Sequence, residues 1–189
     1  MNIPDTKMEI LTLGRFSISA DEKQVAIDWP NEAIKIFFCS LLSPLDLYFT
    51  WDRICRSMLG VPETRTSRRQ LKEVLIQPLN NILIKELGFT ILITEHDNIR
   101  INQKHIHLDA LEFYNSALEG LRLLTHDNHA AAFEKFSTAN SLYAGIYLPG
   151  MSGKIIDNTR TELESLYQNA FIGGFKQTRE DRIITTQYE

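Results

Sequence analysis

Residues 65–83 read RTSRRQLKEVLIQPLNNIL. Leu71, Val74, Leu75, Leu79 and Ile82 recur at a helical period and mark a stripe to be buried. Ser67 followed by Gln70 has capping-box spacing, so the helix is predicted to begin at Ser67. Gly88 supplies its stop. Arg65, Arg68, Arg69 and Lys72 crowd the first half with no acid among them, whereas Glu73, Gln77, Asn80 and Asn81 follow. Pro78 sits inside the helix, where it deletes one hydrogen bond and crowds the preceding turn at roughly 3 kcal/mol. A kink or break is expected there.

Cations at a helix start oppose the positive end of the dipole. The same end attracts phosphate. An anion beside Arg65, Arg68, Arg69 and Lys72 would remove the conflict, although the charges alone describe an ordinary solvated face. Only their place in a fold decides between the two.

Working outward, EILTLGRFSISADEKQVAI (9–27) alternates apolar and polar residues and reads as short antiparallel strands. After Trp29 and Pro30, apolar residues at 34, 37, 38, 41 and 42 predict a helix ended by Pro44. LYFT is a short extended piece, and WDRICRSML a second helix closed by Gly60 and Pro62. FTILITEHDNIRIN (89–102) predicts a hairpin turning at 95–98. The rest reads as helix. Asp109 and Glu112 have capping-box spacing, a second helix begins near His129, and a third runs from about Asn158 to Gly173. The polar tail from Lys176 is expected to fray.

The net charge of −4 is carried wholly by residues 105–189, with 7 Lys+Arg against 11 Asp+Glu, because residues 1–104 hold 13 of each. A globally basic footprint is absent, but a local basic patch in the first half is allowed. No stretch approaches the ~18 apolar residues of a membrane span, and the N-terminus lacks a signal-peptide core, so a cytoplasmic chain is expected. Cys39 and Cys55 lie in apolar-periodic stretches and read as buried free thiols.

Other motifs point to no chemistry. GMSGK (150–154) lacks the earlier glycine and the hydroxyl of a phosphate-binding loop. His105 and His107 have strand spacing but no third ligand nearby, so no metal is expected. No nucleophile elbow or carboxylate pair suggests an enzyme, and no cofactor is implied.

The order strands, helix, short strand, helix, long helix, hairpin resembles an OmpR-type winged helix. LGRFSI, the segment from Trp29 to Pro44, and VPETRTSRRQLKEVLIQPLNNIL look like the DNA-binding half of antibiotic-regulatory-type bacterial activators. HLDALEF, SLYAGIYLPG and TRTELESLYQNAF resemble the bacterial transcriptional activator domain that follows it in that family. The resemblance spans about residues 8–175. It implies an α+β winged helix-turn-helix domain over 1–104, then an all-α tetratricopeptide-like domain over 105–189. Gly120, Ala132, Phe136 and Ala139 carry the repeat's spacing, although Ser116 stands where its leading Trp is expected. Such repeats need about three units to bury a core, so this module is expected to be incomplete or to dock on something.

The implied function is DNA-binding transcriptional regulation, with activation by recruitment. Double-stranded DNA, RNA polymerase or another regulator, and a second copy of the chain are the implied partners. DNA contacts are expected from Arg65, Thr66, Ser67, Arg68, Arg69 and Lys72, with Arg100 in the hairpin. Arginines that the family carries near Gln77, Pro78 and Asn80 are missing here. An interaction scaffold with a winged helix unable to bind DNA is therefore the alternative.

Overall fold

The structure is a computed structural model describing residues 8–171, so the tail from Lys176 lies outside it. It is a mixed α+β fold, and among the described residues no helix is long and apolar enough to cross a membrane. The predicted N-terminal strands are β1 (Met8–Leu11), β2 (Ser17–Ala20) and β3 (Lys23–Gln24), paired antiparallel in sequence order. Helix α1 (Glu32–Leu41) follows, capped by Asn31, whose side-chain oxygen accepts from the Ile34 amide at 3.0 Å. Its apolar face buries Ile34, Phe37, Phe38 and Leu41.

Strand β4 (Phe49–Thr50) leads directly into α2 (Trp51–Met58). Next comes one continuous helical run made of α3 (Arg65–Leu71), a π-helical turn (Lys72–Ile76) and α4 (Gln77–Leu87). Gly88 ends it at φ +80°, as expected. The predicted hairpin is β5 (Leu92–Thr94) and β6 (Asn98–Ile101), and β4 pairs on the far side of β6.

The helix differs from expectation in its start and in the absence of a break at Pro78. It starts at Arg65, not Ser67, because Thr64 takes the cap. The Thr64 hydroxyl accepts from the Ser67 amide at 3.0 Å, and the Ser67 hydroxyl accepts from the Thr64 amide at 2.8 Å. Nor does Pro78 break the helix. Lacking an N–H for the Val74 carbonyl and crowding it, the proline is accommodated by one widened turn, in which Gln77 donates to Lys72. The wider turn resets the buried stripe to Leu71, Leu75, Leu79 and Leu83. Val74, expected inside, is 51% exposed, and Ile82 is only half-buried.

Strand β7 (Ile106–Leu108) joins β1 in parallel, a pairing the sequence did not announce. It leads into α5 (Asp109–Leu124), followed by α6 (His129–Leu142) and α7 (Lys154–Gln168), which begins four residues before the predicted Asn158. Asp109 does not form the expected capping box. Its buried carboxylate instead accepts from the Thr12 and Leu13 amides at 2.8–2.9 Å and from the Thr12 hydroxyl at 2.7 Å. Those amides emerge where β1 ends and have no strand partner, so the carboxylate satisfies them.

The loop SLYAGIYLPG closes over the same segment. Gly14 donates to Ile146 at 3.0 Å and Leu148 to Thr12 at 2.7 Å. Gly14 has φ +77°, and a Cβ there would meet the Ala144 carbonyl oxygen at 2.7 Å, so only glycine fits. Arg160 anchors the loop by donating to the carbonyls of Tyr147, Leu148 and Met151 at 2.7–2.9 Å. One apolar core runs from Met8 to Phe171. Cys39 and Cys55 are buried and free.

Candidate nucleic-acid interface

Trp51 organises the face that carries the basic cluster. Its ring is 1% exposed, and its indole N–H donates to the carbonyls of Glu95 and His96 in the hairpin turn, at 3.3 and 3.0 Å. Over that ring lie the Arg68 guanidinium at 4.6 Å and the Lys72 ammonium at 5.3 Å. Each such cation–π contact stabilises by roughly 0.5–2 kcal/mol. Arg68 also donates to the His96 carbonyl at 2.6 Å and pairs with Glu63 at 3.1 Å. One arginine thus joins α2, the start of α3 and the hairpin.

The predicted contact residues separate by environment. Arg65 and Thr66 are exposed at the first turn of α3, and Arg65 makes no ion pair among the described residues. Lys72 is exposed above Trp51. Arg69 is 78% exposed and pairs with Glu73 one turn later at 2.8 Å, which raises the guanidinium's pKa through that hydrogen bond. Arg100 pairs with Glu95 at 2.9 Å, and its hydrogen bond holds the Glu95 carboxyl below its ordinary range. Ser67 faces inward at 4% exposure, and its hydroxyl is engaged by the cap and by the Pro62 carbonyl. Arg68 is mostly covered, with 26% of its side chain exposed.

These ion pairs set the field. Arg65, Arg68, Arg69, Lys72 and Arg100 share this face with Glu63, Glu73, Glu95 and Asp97, leaving one net positive charge. Exposed pairs of this kind contribute little to stability and are exchangeable for phosphate. The Glu63–Arg68 pair is shielded and shares its arginine with Trp51, so it belongs to the framework.

Sequence reasoning missed Trp51, Glu63 and Glu95. The Arg69–Glu73 spacing of four on a helix was legible. Nothing local announced that Trp51 would meet a hairpin more than forty residues later. Asp52 was also missed: its carboxylate accepts from Arg56 at 2.8 Å and from the Glu63 amide at 3.0 Å, holding the loop before α3. The arginine hydrogen bond depresses its pKa.

No protein-family model matches the chain, and no curated protein does. Among solved structures it is similar in fold to Mycobacterium tuberculosis EmbR, determined in complex with a low-affinity phosphopeptide. The TM-score is 0.59 at 12% sequence identity, over 88% of this chain and 43% of the EmbR chain. The likeness therefore concerns the fold, and the chain spans less than half the length of the solved protein.

Proposed function

We propose that the chain is a DNA-binding transcriptional regulator in which α2, the α3–α4 helix and the β5–β6 hairpin act as a winged helix. The outward face of α3 carries this reading: Arg65, Thr66, Arg69 and Lys72 are exposed on one helix beside a hairpin bearing Arg100. A helix of this size enters the major groove, and a hairpin beside it meets the adjoining backbone. In this reading Arg68 and Ser67 hold the framework, while Arg65, Arg69, Lys72 and Arg100 meet phosphate. The helices α5, α6 and α7 form the tetratricopeptide-like module that contacts a second copy or the transcription machinery, and activation proceeds by recruitment. The fold shared with EmbR and the resemblance to antibiotic-regulatory-type activators support it.

A second reading has its own observation. The Arg69–Glu73 and Arg100–Glu95 pairs leave the face with little excess charge, as a protein-interaction scaffold would have it. Fluorescence anisotropy with a labelled duplex over several salt concentrations separates the two. Four phosphate contacts give a slope of log K on log salt between about −3 and −4. Absence of binding at low salt rejects the DNA reading in favour of the scaffold.

A further inference from the structure

Helices α2 and α7 form the walls of a cleft of about 470 Å³. Its volume falls in the ~300–1,000 Å³ range of small-molecule sites. Arg53, Arg56 and Ser57 line it from α2, and Lys154 and Asn158 from α7, over an apolar floor at Ile155. On each helix these residues are three or four apart and so share one face.

Three cations converge there from two elements, in a chain whose net charge is −4. One carboxylate, Asp52, lies in the wall, and it is already engaged by Arg56 and by the Glu63 amide. Arg53 is held in a two-pronged pair with Asp46. Lys154 pairs with no carboxylate among the described residues. Asp46 balances Arg53 and Asp52 balances Arg56, so Lys154 leaves one positive charge in excess on a concave wall, where field lines concentrate.

We infer that this cleft binds a small phosphate-bearing ligand. A phosphate monoester, at about −1.5 to −2 near neutral pH, would meet Lys154 directly and compete with Asp52 for the exposed Arg56. The Arg56 guanidinium, engaged by Asp52 through Nε, and the Lys154 ammonium are donors of the kind phosphate oxygens take, and Ser57 and Asn158 add neutral ones. A ligand held by Arg56 and Lys154 would brace the first half of the chain against the second, and the fold would gain stability with occupancy.

Isothermal titration of the full chain with inorganic phosphate, at ionic strength held constant with chloride, tests the site. Binding at millimolar concentration or tighter is expected, with a matching rise in Tm. Lys154→Glu and Asn158→Asp should each weaken it at least tenfold while leaving duplex DNA affinity unchanged. Both side chains are exposed, so either variant serves if the other folds poorly. Equal phosphate affinity in wild type and variants overturns the inference, as does no binding at tens of millimolar. Loss of duplex affinity in the variants, with phosphate affinity unchanged, would reassign the cleft to the DNA backbone and equally overturn it.

Discussion

Asp109 and Thr12 stand 97 positions apart, yet the Asp109 carboxylate takes both the amide and the hydroxyl of Thr12 at 2.7–2.9 Å. The same carboxylate takes the Leu13 amide. This contact joins the end of β1 to the start of α5 inside the core. Replacing Asp109 by Ala strands several buried donors, each costing about 1–3 kcal/mol when unmet. Asp109→Ala should therefore destabilise by about 3–5 kcal/mol in urea unfolding. A loss below about 1 kcal/mol would mean that water replaces the carboxylate and that the clasp is dispensable.

Arg68 and its neighbours on the same helix are expected to behave oppositely. Arg68 braces Trp51 and His96, so Arg68→Ala should cost about 1–2 kcal/mol of stability. Arg65 is exposed and its side chain makes no hydrogen bond or ion pair among the described residues, so Arg65→Ala should stay within about 0.5 kcal/mol of wild type. The salt dependence of duplex binding should reverse that ranking. Arg65→Ala lowers the slope by about 0.9. Arg68→Ala leaves the slope close to wild type, because Glu63 already neutralises that guanidinium. Equal slope losses for the two would contradict the division between framework and contact.

Much of this arrangement was legible in the sequence, and the omissions share a cause. Period and capping signals located the hairpin, α1, α2 and the stop at Gly88, because those signals are local. The cap slipped from Ser67 to Thr64 because both residues can fill it, and the loop from Pro62 decides between them. Val74 moved outward because a proline can be absorbed by a widened turn as well as by a break. Asp109, β7 and Trp51 act across separations of forty residues or more, where no periodicity speaks. At the candidate interface the cations were readable, and the acids that meet them were readable only for Glu73.

Gly120 offers a packing test of the α5–α6 pair. A Cβ at Gly120 would lie 2.5 Å from the Phe136 ring, which is fully buried. Alanine gains about 0.8–1 kcal/mol in helix propensity over glycine. Overpacking against a ring that cannot withdraw costs about 1–3 kcal/mol, so the clash wins. Gly120→Ala should lower Tm, and adding Phe136→Leu should recover part of the loss. Additive losses in the double variant would show that the two residues do not share the space.

Alkaline pH should loosen the core around Cys39 and Tyr147. Burial pushes the Cys39 thiol from its ordinary 9.0 to about 12, and it lifts the Tyr147 hydroxyl well above 10.0. The two residues touch, with the Tyr147 hydroxyl donating to the Cys39 carbonyl at 3.4 Å. Above pH 9 the unfolded chain releases the Cys39 proton while the folded chain keeps it, so the unfolded state binds fewer protons and stability falls as pH rises. Between pH 9 and 12 the thiol alone removes about 1.4 kcal/mol per pH unit once the unfolded thiol is ionised. Tyr147 adds to the loss from about pH 10 upward. Urea midpoints should hold steady from pH 7 to 8 and then decline, and Cys39→Ala should decline less steeply from a lower start. A wild-type midpoint as high at pH 11 as at pH 8 would mean that these groups ionise in place, and that the core around them admits water.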